Sequence, residues 1–119
     1  MHFDHEKLDV FQIAMQWIKL CERIVSQLPR GRAYLADQLQ RAGTSIPFNI
    51  AEGAGEYASQ EKSRFYRIAK RSATECASIL EVCYQVQLVD EALYTDAREL
   101  LLRIVAMLTK LVKREEARK

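Results

Sequence analysis

Five basic residues in a ten-residue span carry the clearest chemical signal in this chain. They are Lys62, Arg64, Arg67, Lys70 and Arg71, and no acidic residue interrupts the span. Arg64, Arg67 and Arg71 follow the three-and-four spacing that puts side chains on one ridge of a helix. Guanidinium groups bind phosphates by charge and by paired hydrogen bonds. The row therefore predicts contact with nucleic acid; the alternative is a solvated helix face on which Arg71 pairs with Glu75.

Two carboxylates are the best candidates for acid–base chemistry. Glu52 and Glu75 each lie beside an apolar stripe, but no nucleophile, electrophile or metal site accompanies them. The only histidines, His2 and His5, lie at the N-terminus, so we expect no histidine metal site or catalytic triad in the core. We predict a protein without catalytic residues, metal or cofactor. Glu52 and Glu75 are then interpreted as buried or interfacial hydrogen-bond partners of Arg, Ser or Asn.

The segment QLQRAGTSIPFNIAEG, residues 38–53, has the apolar spacing of a helix but contains Gly43 and Pro47. Proline has no N–H for the carbonyl four residues back, which here belongs to Gly43, so we predict one continuous helix with a kink at this pair. Valine at position 43 should be too large for the kink or a neighbouring helix. Polar residues form a second stripe suited to contact with another helix or chain. These residues are Arg41, Ser45, Asn49, Glu52 and Glu56.

These residues also carry a resemblance to a known family. QL-RA--SI--NIAEG on the second predicted helix and F----A-RSA-E on the third are similar to the signature of small bacterial four-helix-bundle proteins. That family includes proteins encoded in intervening sequences of 23S ribosomal RNA genes and accessory variability proteins of diversity-generating retroelements. The family motif falls on Arg41, Ser45, Asn49, Glu52, Gly53, Ser72 and Glu75.

The resemblance implies a function as well as a fold. In the retroelement branch, the family forms a positively charged ring of five subunits that works with a reverse transcriptase and RNA. A similar assembly here would be a homopentamer, with RNA, DNA or a reverse transcriptase as further partners. Such a ring would repeat the basic row in every subunit, so that weak phosphate contacts add by avidity.

Four amphipathic segments and short connections predict an all-α fold. The expected helices cover residues 8–28 and 33–53, then residues 59 to about 88, and a fourth from Asp90 or Glu91 onward. Ser59 is the expected cap of the third helix, Gly53 and Gly55 are expected to end the second, and the C-terminal turns are expected to fray. Short turns favour an antiparallel up-down-up-down bundle forming a single domain over residues 1–119.

The apolar stripe of the first helix is expected to contain Phe11, Ala14, Ile18, Cys21, Val25 and Leu28, and Ile24 widens it. Phe3, Trp17, Tyr66 and Tyr84 fall outside the main stripes, so they are predicted to contribute to a subunit interface. Tyr57 and Tyr66 are also candidates for stacking on unpaired bases. The alternative is a monomer with scattered exposed aromatic residues.

Composition narrows the class further. The net charge is +2, but residues 1–61 contain 6 basic and 8 acidic groups while residues 62–119 contain 12 and 8. This asymmetry is consistent with an anionic partner. Three cysteines cannot form a disulfide framework, and Cys76 and Cys83 lie about 10 Å apart on one helix, too far for a bridge. With no apolar run of about 20 residues and a charged N-terminus, we expect a cytoplasmic protein without membrane contact.

The leading hypothesis is therefore a non-enzymatic, homo-oligomeric helical bundle that binds nucleic acid, RNA before DNA, or a partner that processes it. The alternative is a protein-binding scaffold in which the basic row only promotes solubility. An enzyme is the least favoured reading, because the inventory of reactive groups is so poor.

Overall fold

The computed structural model describes residues 1–118 of the chain. Short 3₁₀ turns precede the first and second of four α-helices. In chain order the elements are a 3₁₀ turn at Asp4–Lys7, α1 at Asp9–Gln27, a 3₁₀ turn at Arg30–Arg32, α2 at Ala33–Gly55, α3 at Ser59–Gln85 and α4 at Glu91–Ala117. No β-strand occurs in these 118 residues. The all-α prediction is confirmed, and each predicted helix has its counterpart.

The ends of α3 differ from their predicted form. Ser59 is the first helical residue, and Ala58 occupies the cap position without a side-chain hydrogen bond. At the other end, α3 stops three residues before the predicted end at Leu88. Gln87 adopts a φ of 63°, and the Leu88 N–H donates to the Cys83 carbonyl at 2.8 Å. This six-residue closure is a Schellman motif with glutamine in the position that usually holds glycine.

The first turn of α4 is capped by a side chain. Asp90 lies just before the helix, and its Oδ1 accepts a hydrogen bond from the Leu93 N–H at 2.8 Å. The start predicted near Asp90 or Glu91 is therefore confirmed. The predicted fraying is wrong for the described part of this helix, since α4 continues to Ala117 and Glu115 is 1% exposed.

Helix α2 continues without a break through Pro47, as predicted, and the kink at Gly43 and Pro47 stays a prediction. Gly43 lies in its interior, and a Cβ there would come within 3.0 Å of Cys21 Sγ and 3.3 Å of Trp17 Nε1. Glycine at this position therefore lets α2 approach α1 closely.

Each helix packs mainly against two of the other three. Helix α2 packs against α1 and α3, and α4 packs against α3 and α1, while no Cα atom of α2 lies within 8 Å of one of α4 within residues 1–118. The four helices therefore surround one core, with α2 and α4 diagonally opposed.

The core phase of α1 differs from the predicted stripe. Ala14, Cys21 and Ile24 of the predicted apolar face are buried, as expected. Val10, Ile13 and Trp17 are buried as well, whereas the predicted Phe11, Ile18, Val25 and Leu28 are only partly buried. Apolar residues lie on more than one side of this helix, so the spacing allows two phases. The observed phase is the one that buries the large side chain of Trp17 fully against α2.

Candidate functional site

The predicted phosphate-binding row lies on the first half of α3, but its members have different surroundings. Lys62 is half-buried, and its Nζ donates to the carbonyl oxygens of Gly53 at 3.2 Å and Ala54 at 3.0 Å. These are carbonyls of the last turn of α2, where positive charge is favoured. The ammonium of Lys62 thus joins α2 to α3 and is already engaged by the fold.

Arg64 and Arg67 are half-exposed and take part in ion pairs. Arg64 Nη2 lies 3.2 Å from Glu61 Oε2, and its guanidinium lies 4.5 Å above the centre of the Phe65 ring. Arg67 Nη1 donates to Ser63 Oγ at 2.7 Å and to Glu116 Oε2 at 3.2 Å. Exposed pairs of this kind contribute only about 0–1 kcal/mol. A phosphate could therefore replace either carboxylate at little cost.

Lys70 and Arg71 complete the row. Arg71 is exposed and Lys70 half-buried, and neither takes part in an ion pair within residues 1–118. The pairing of Arg71 with Glu75, proposed as the alternative use of this arginine, does not occur. Arg64, Arg67, Lys70 and Arg71 together form what we call the basic surface.

An open cleft of about 540 Å³ lies where α2 passes into α3. Its lining includes Tyr57, Lys62, Tyr66 and Arg114. Tyr57 is fully exposed, but Tyr66 is only 1% exposed, so Tyr57 alone has ring faces open for base stacking. The stacking role predicted for Tyr66 is wrong, because its ring packs beneath α2.

Part of the α2 motif forms a hydrogen-bonded link to α3. Ser72 Oγ donates to Ser45 Oγ at 2.9 Å, and Asn49 Nδ2 donates to the carbonyl oxygen and the hydroxyl of Ser45 at 2.8 and 2.9 Å. Ser72 is buried and the other two are half-buried. These three motif residues therefore satisfy one another between two packed helices.

Gly53, also in the motif, allows a close approach instead of ending a helix. A Cβ there would lie 2.7 Å from Tyr66 Cε1, closer than real Cβ atoms come, and 3.2 Å from Phe65 Cβ, which is also a tight contact. No glycine in the described chain has a positive φ, and Gly53 lies inside α2. The prediction that its backbone freedom ends the helix is wrong; what matters is the missing side chain.

The remaining motif residues are exposed. Arg41, Glu52 and Glu75 all lie on the surface of the chain. Burial of Glu52 and Glu75, one of the two roles predicted for them, is therefore wrong, and the interfacial role stays a prediction. The packing within residues 1–118 does not explain why these three exposed side chains are charged.

The predicted interface aromatics separate into two groups. Trp17 and Tyr66 are core residues at 0% and 1% exposure, so their assignment to an interface is wrong. Phe3 is exposed, and Tyr84 is half-buried with its ring stacked 4.0 Å from that of Tyr94.

Sequence reasoning missed two exposed aromatic residues, Tyr34 and Phe48, both on α2. Phe48 on α2 is 67% exposed. It follows Arg41 by seven residues and precedes Glu52 by four, so the three lie on one side of the helix. This spacing, together with the position of Phe48 outside the apolar stripe, is the signal that could have identified it. We call Arg41, Phe48 and Glu52 the outer face of α2.

A buried carboxylate was also missed. Glu115 Oε2 accepts a hydrogen bond from Arg114 Nε at 3.2 Å and lies 3.5 Å from Arg118 Nη1, while the buried Oε1 has no partner within residues 1–118. Burial, and then the charge of Glu115, raise the pKa of Tyr66, whereas Arg114 lowers it. The acidic residue therefore lies close to Tyr66, one of the residues that line the cleft.

Comparison with known families gives a match over most of the chain. The pattern of the 23S rRNA-intervening sequence protein family matches residues 6–110. The chain belongs to this family. Both pieces of the motif lie inside the matched range, whereas Glu115 lies beyond it. No curated protein matches the chain.

Two further observations concern this member of the 23S rRNA-intervening sequence protein family. None of its helices within the described residues is long and apolar enough to span a bilayer. Among the same residues, no three His, Cys, Asp or Glu side chains are grouped so that they could hold a metal ion.

Proposed function

We propose that this protein is a non-enzymatic, homo-oligomeric bundle that binds nucleic acid, RNA before DNA, through the basic surface of α3. The observation that carries the proposal is a set of four cationic side chains on one helix, three exposed and Lys70 half-buried, with the exposed ring of Tyr57 just before that helix. Cations displace condensed counterions from nucleic-acid phosphates, and an aromatic ring can stack on a base. Membership of a family named for 23S ribosomal RNA intervening sequences supports RNA as the ligand.

The proposed architecture is one domain with four antiparallel helices running up, down, up and down. Two contacts between helix ends support it. Lys62 at the start of α3 reaches Gly53 at the end of α2, and Arg67 near the start of α3 reaches Glu116 near the end of α4. Such an arrangement leaves the basic surface on an outer side of the bundle, where a cytoplasmic ligand or a reverse transcriptase partner can reach it.

A ring of subunits, five if the resemblance holds in this respect, is the proposed assembly. Each subunit would present the same basic surface, so weak contacts with one RNA strand would add. The exposed outer face of α2 supports self-association, because an aromatic ring flanked by charges is typical of an interface.

A protein-binding scaffold without nucleic-acid contact is the second candidate. The observation in its favour is that Arg64 and Arg67 already pair with Glu61 and Glu116. Under this reading the basic surface is a solvated face whose charges are partly neutralised.

Fluorescence anisotropy with a labelled single-stranded RNA separates the two candidates. The test variant is R64A/R67A/K70A, and the matched control K19A/R23A/R30A removes the same number of exposed or half-exposed charges from elsewhere. Circular dichroism checks that both remain folded.

We expect the test variant to weaken binding at least about tenfold and to lower the slope of log K against log salt by about 2 to 3. The control should change both quantities much less. If both variants lost the same amount of RNA affinity, binding would depend only on net charge and not on the basic surface. Absence of binding by the unaltered protein at low salt would favour the scaffold.

A further inference from the structure

We propose that Phe48 of one copy docks into the apolar groove between α3 and α4 of a second copy, with Glu52 facing Arg71 of that copy. This inference rests on the homo-oligomer of the proposed function and names its contact surfaces. It also gives the exposed motif residues of α2 a role that the fold leaves unassigned.

The inserting residue is the one large apolar side chain at the centre of the outer face. Phe48 is 67% exposed although it lies in the middle of a well-packed helix. Its neighbours one turn away on the same side are Thr44, Ala51 and Glu52, of which only Glu52 is charged. A phenyl ring on such a helix surface loses its contact with water when another surface covers it.

The receiving surface is a groove of about 210 Å³ between α3 and α4. Ala77 has a short side chain, so it leaves a depression beside Leu102, which is 52% exposed. The full lining is Thr74, Ala77, Arg98, Leu101, Leu102 and Val105. Apart from the hydroxyl of Thr74 and the guanidinium of Arg98, these side chains are apolar and suit an aromatic ring.

The positions of ring and groove determine the kind of contact. Phe48 lies on α2, and no Cα atom of α2 lies within 8 Å of one of α4 within residues 1–118. The inserting ring and the groove are thus different surfaces of one molecule. If the second copy does not return its own ring to the groove of the first, one ring and one groove stay unoccupied, and the contact repeats from copy to copy as a closed ring or an open filament. The closed form is the homo-oligomer of the proposed function.

Charge selects the direction in which α2 lies along the groove. Arg71 lies one turn before Thr74, so this end of the groove is positive. At the other end, hydrogen bonds from Gln85 and Tyr94, and then the charge of Arg98, lower the pKa of Glu81, so cation and carboxylate compensate each other there.

With Glu52 toward Arg71, opposite charges meet, and Arg41 lies over the compensated end. The reverse direction would place Arg41 against Arg71. Like charges opposed in this way disfavour the wrong register.

Cross-linking tests the contact and its direction while keeping Phe48. Ala51→Cys and Thr44→Cys place a thiol one turn to either side of Phe48, and Thr74→Cys places one at the positive end of the groove. The three natural thiols are buried at 3% exposure or less, so a short bismaleimide should react with the introduced ones. Each α2 variant is mixed with the Thr74 variant, and the yield of covalent dimer is measured.

The proposal predicts efficient cross-linking of Ala51→Cys to Thr74→Cys, a yield about tenfold lower from Thr44→Cys, and loss of the product when Phe48→Ser is added. Equal yields from the two α2 positions, or a higher yield from Thr44→Cys, would overturn the direction. No product from protein that light scattering shows to be assembled would overturn the contact while leaving the oligomer intact.

A charge exchange provides an independent measurement. Glu52→Arg and Arg71→Glu should each raise the concentration at which the oligomer dissociates by about tenfold, and the double variant should restore it. Failure of the double variant to restore assembly would overturn the Glu52–Arg71 contact. Glu52 lies on α2, outside the basic surface, so Glu52→Arg tests this contact with all four cations unchanged, and loss of RNA binding and loss of this contact are distinguishable.

Discussion

On its inward side, α2 packs so closely that a Cβ added at Gly43 or Gly53 would lie within 3.0 Å of a side chain of α1 or α3, whereas on its outward side Arg41, Phe48 and Glu52 are exposed to solvent. Gly43 meets Trp17 and Cys21 on one inward flank, and Gly53 meets Tyr66 on the other. Packing accounts for those glycines. Packing within residues 1–118 does not explain the arginine, the phenylalanine and the glutamate on the outside, and the proposed contact with a second copy would give them a role.

The largest difference in stability should appear when one aromatic side chain is removed from the core that the inward side of α2 faces and another from its outward side. Trp17→Ala leaves a cavity in a fully buried site and should lower the free energy of unfolding by about 3 to 5 kcal/mol. Phe48→Ala, measured in protein dilute enough to be monomeric, should change it by less than about 0.5 kcal/mol. Urea denaturation measures both; a large loss from Phe48→Ala would show that this ring supports the subunit itself.

Adding a methyl group should lower the stability at one glycine of α2 and not at another. Gly53→Ala forces its Cβ against Tyr66 and should destabilise by about 1 to 3 kcal/mol, even though alanine favours a helix. Gly55→Ala meets no atom within 4 Å and should be neutral or stabilising. Thermal unfolding compares the pair. Equal effects would remove the close-approach explanation for the glycine of the motif.

The core also contains two buried thiols, Cys21 of α1 and Cys76 of α3, which should make the protein less stable in alkali. Burial, and then the charge of Glu22, raise the pKa of Cys21 to about 12, and burial raises that of Cys76 still further. Above the ordinary thiol pKa of about 8.5, the unfolded chain releases protons that the folded chain keeps. Stability should therefore decrease as pH rises, by about 1 kcal/mol per thiol per pH unit.

Urea denaturation between about pH 8 and pH 11 measures that slope. The double variant C21A/C76A is the control, and its stability should depend less steeply on pH, whatever its absolute value. A slope equal to that of the unaltered protein would assign the alkaline loss to other groups.

The polar link between α2 and α3 should contribute less than any of these. Ser72→Ala removes the hydroxyl that donates to Ser45, and we expect a loss of about 1 kcal/mol. Glu75→Ala, on the exposed side of the same helix, should change the unfolding free energy by less than about 0.5 kcal/mol. If Glu75→Ala cost as much as Ser72→Ala in the monomer, the exposed motif residues would have a structural role after all.

Helix positions could be predicted from the sequence, because three-and-four spacing and few breakers are local properties. The phase of α1 could not, since apolar residues such as Phe11 and Trp17 lie on different sides and only packing against α2 selects between them. The role of Gly53 was hidden for a similar reason. In the sequence it resembles a helix stop, and only Tyr66, thirteen residues later, explains it.

The candidate site was predictable to a different extent. The cluster of cations was visible, because charge and spacing are printed in the sequence. The different surroundings of these cations were not visible in the sequence. Lys62 binds carbonyls of α2, and Arg67 pairs with Glu116 of α4. The exposure of Phe48 is likewise a property of the folded surface, which spacing alone cannot give.

Size-exclusion chromatography with light scattering tests most directly whether the outer face of α2 is a contact between copies. The subunit mass is 13.8 kDa, and we expect several times that value, close to five subunits, for the unaltered protein at micromolar concentrations. Phe48→Ser should shift the protein toward the mass of one subunit without unfolding it. A dimer would contradict the ring, and a mass of one subunit for the unaltered protein would contradict the contact altogether.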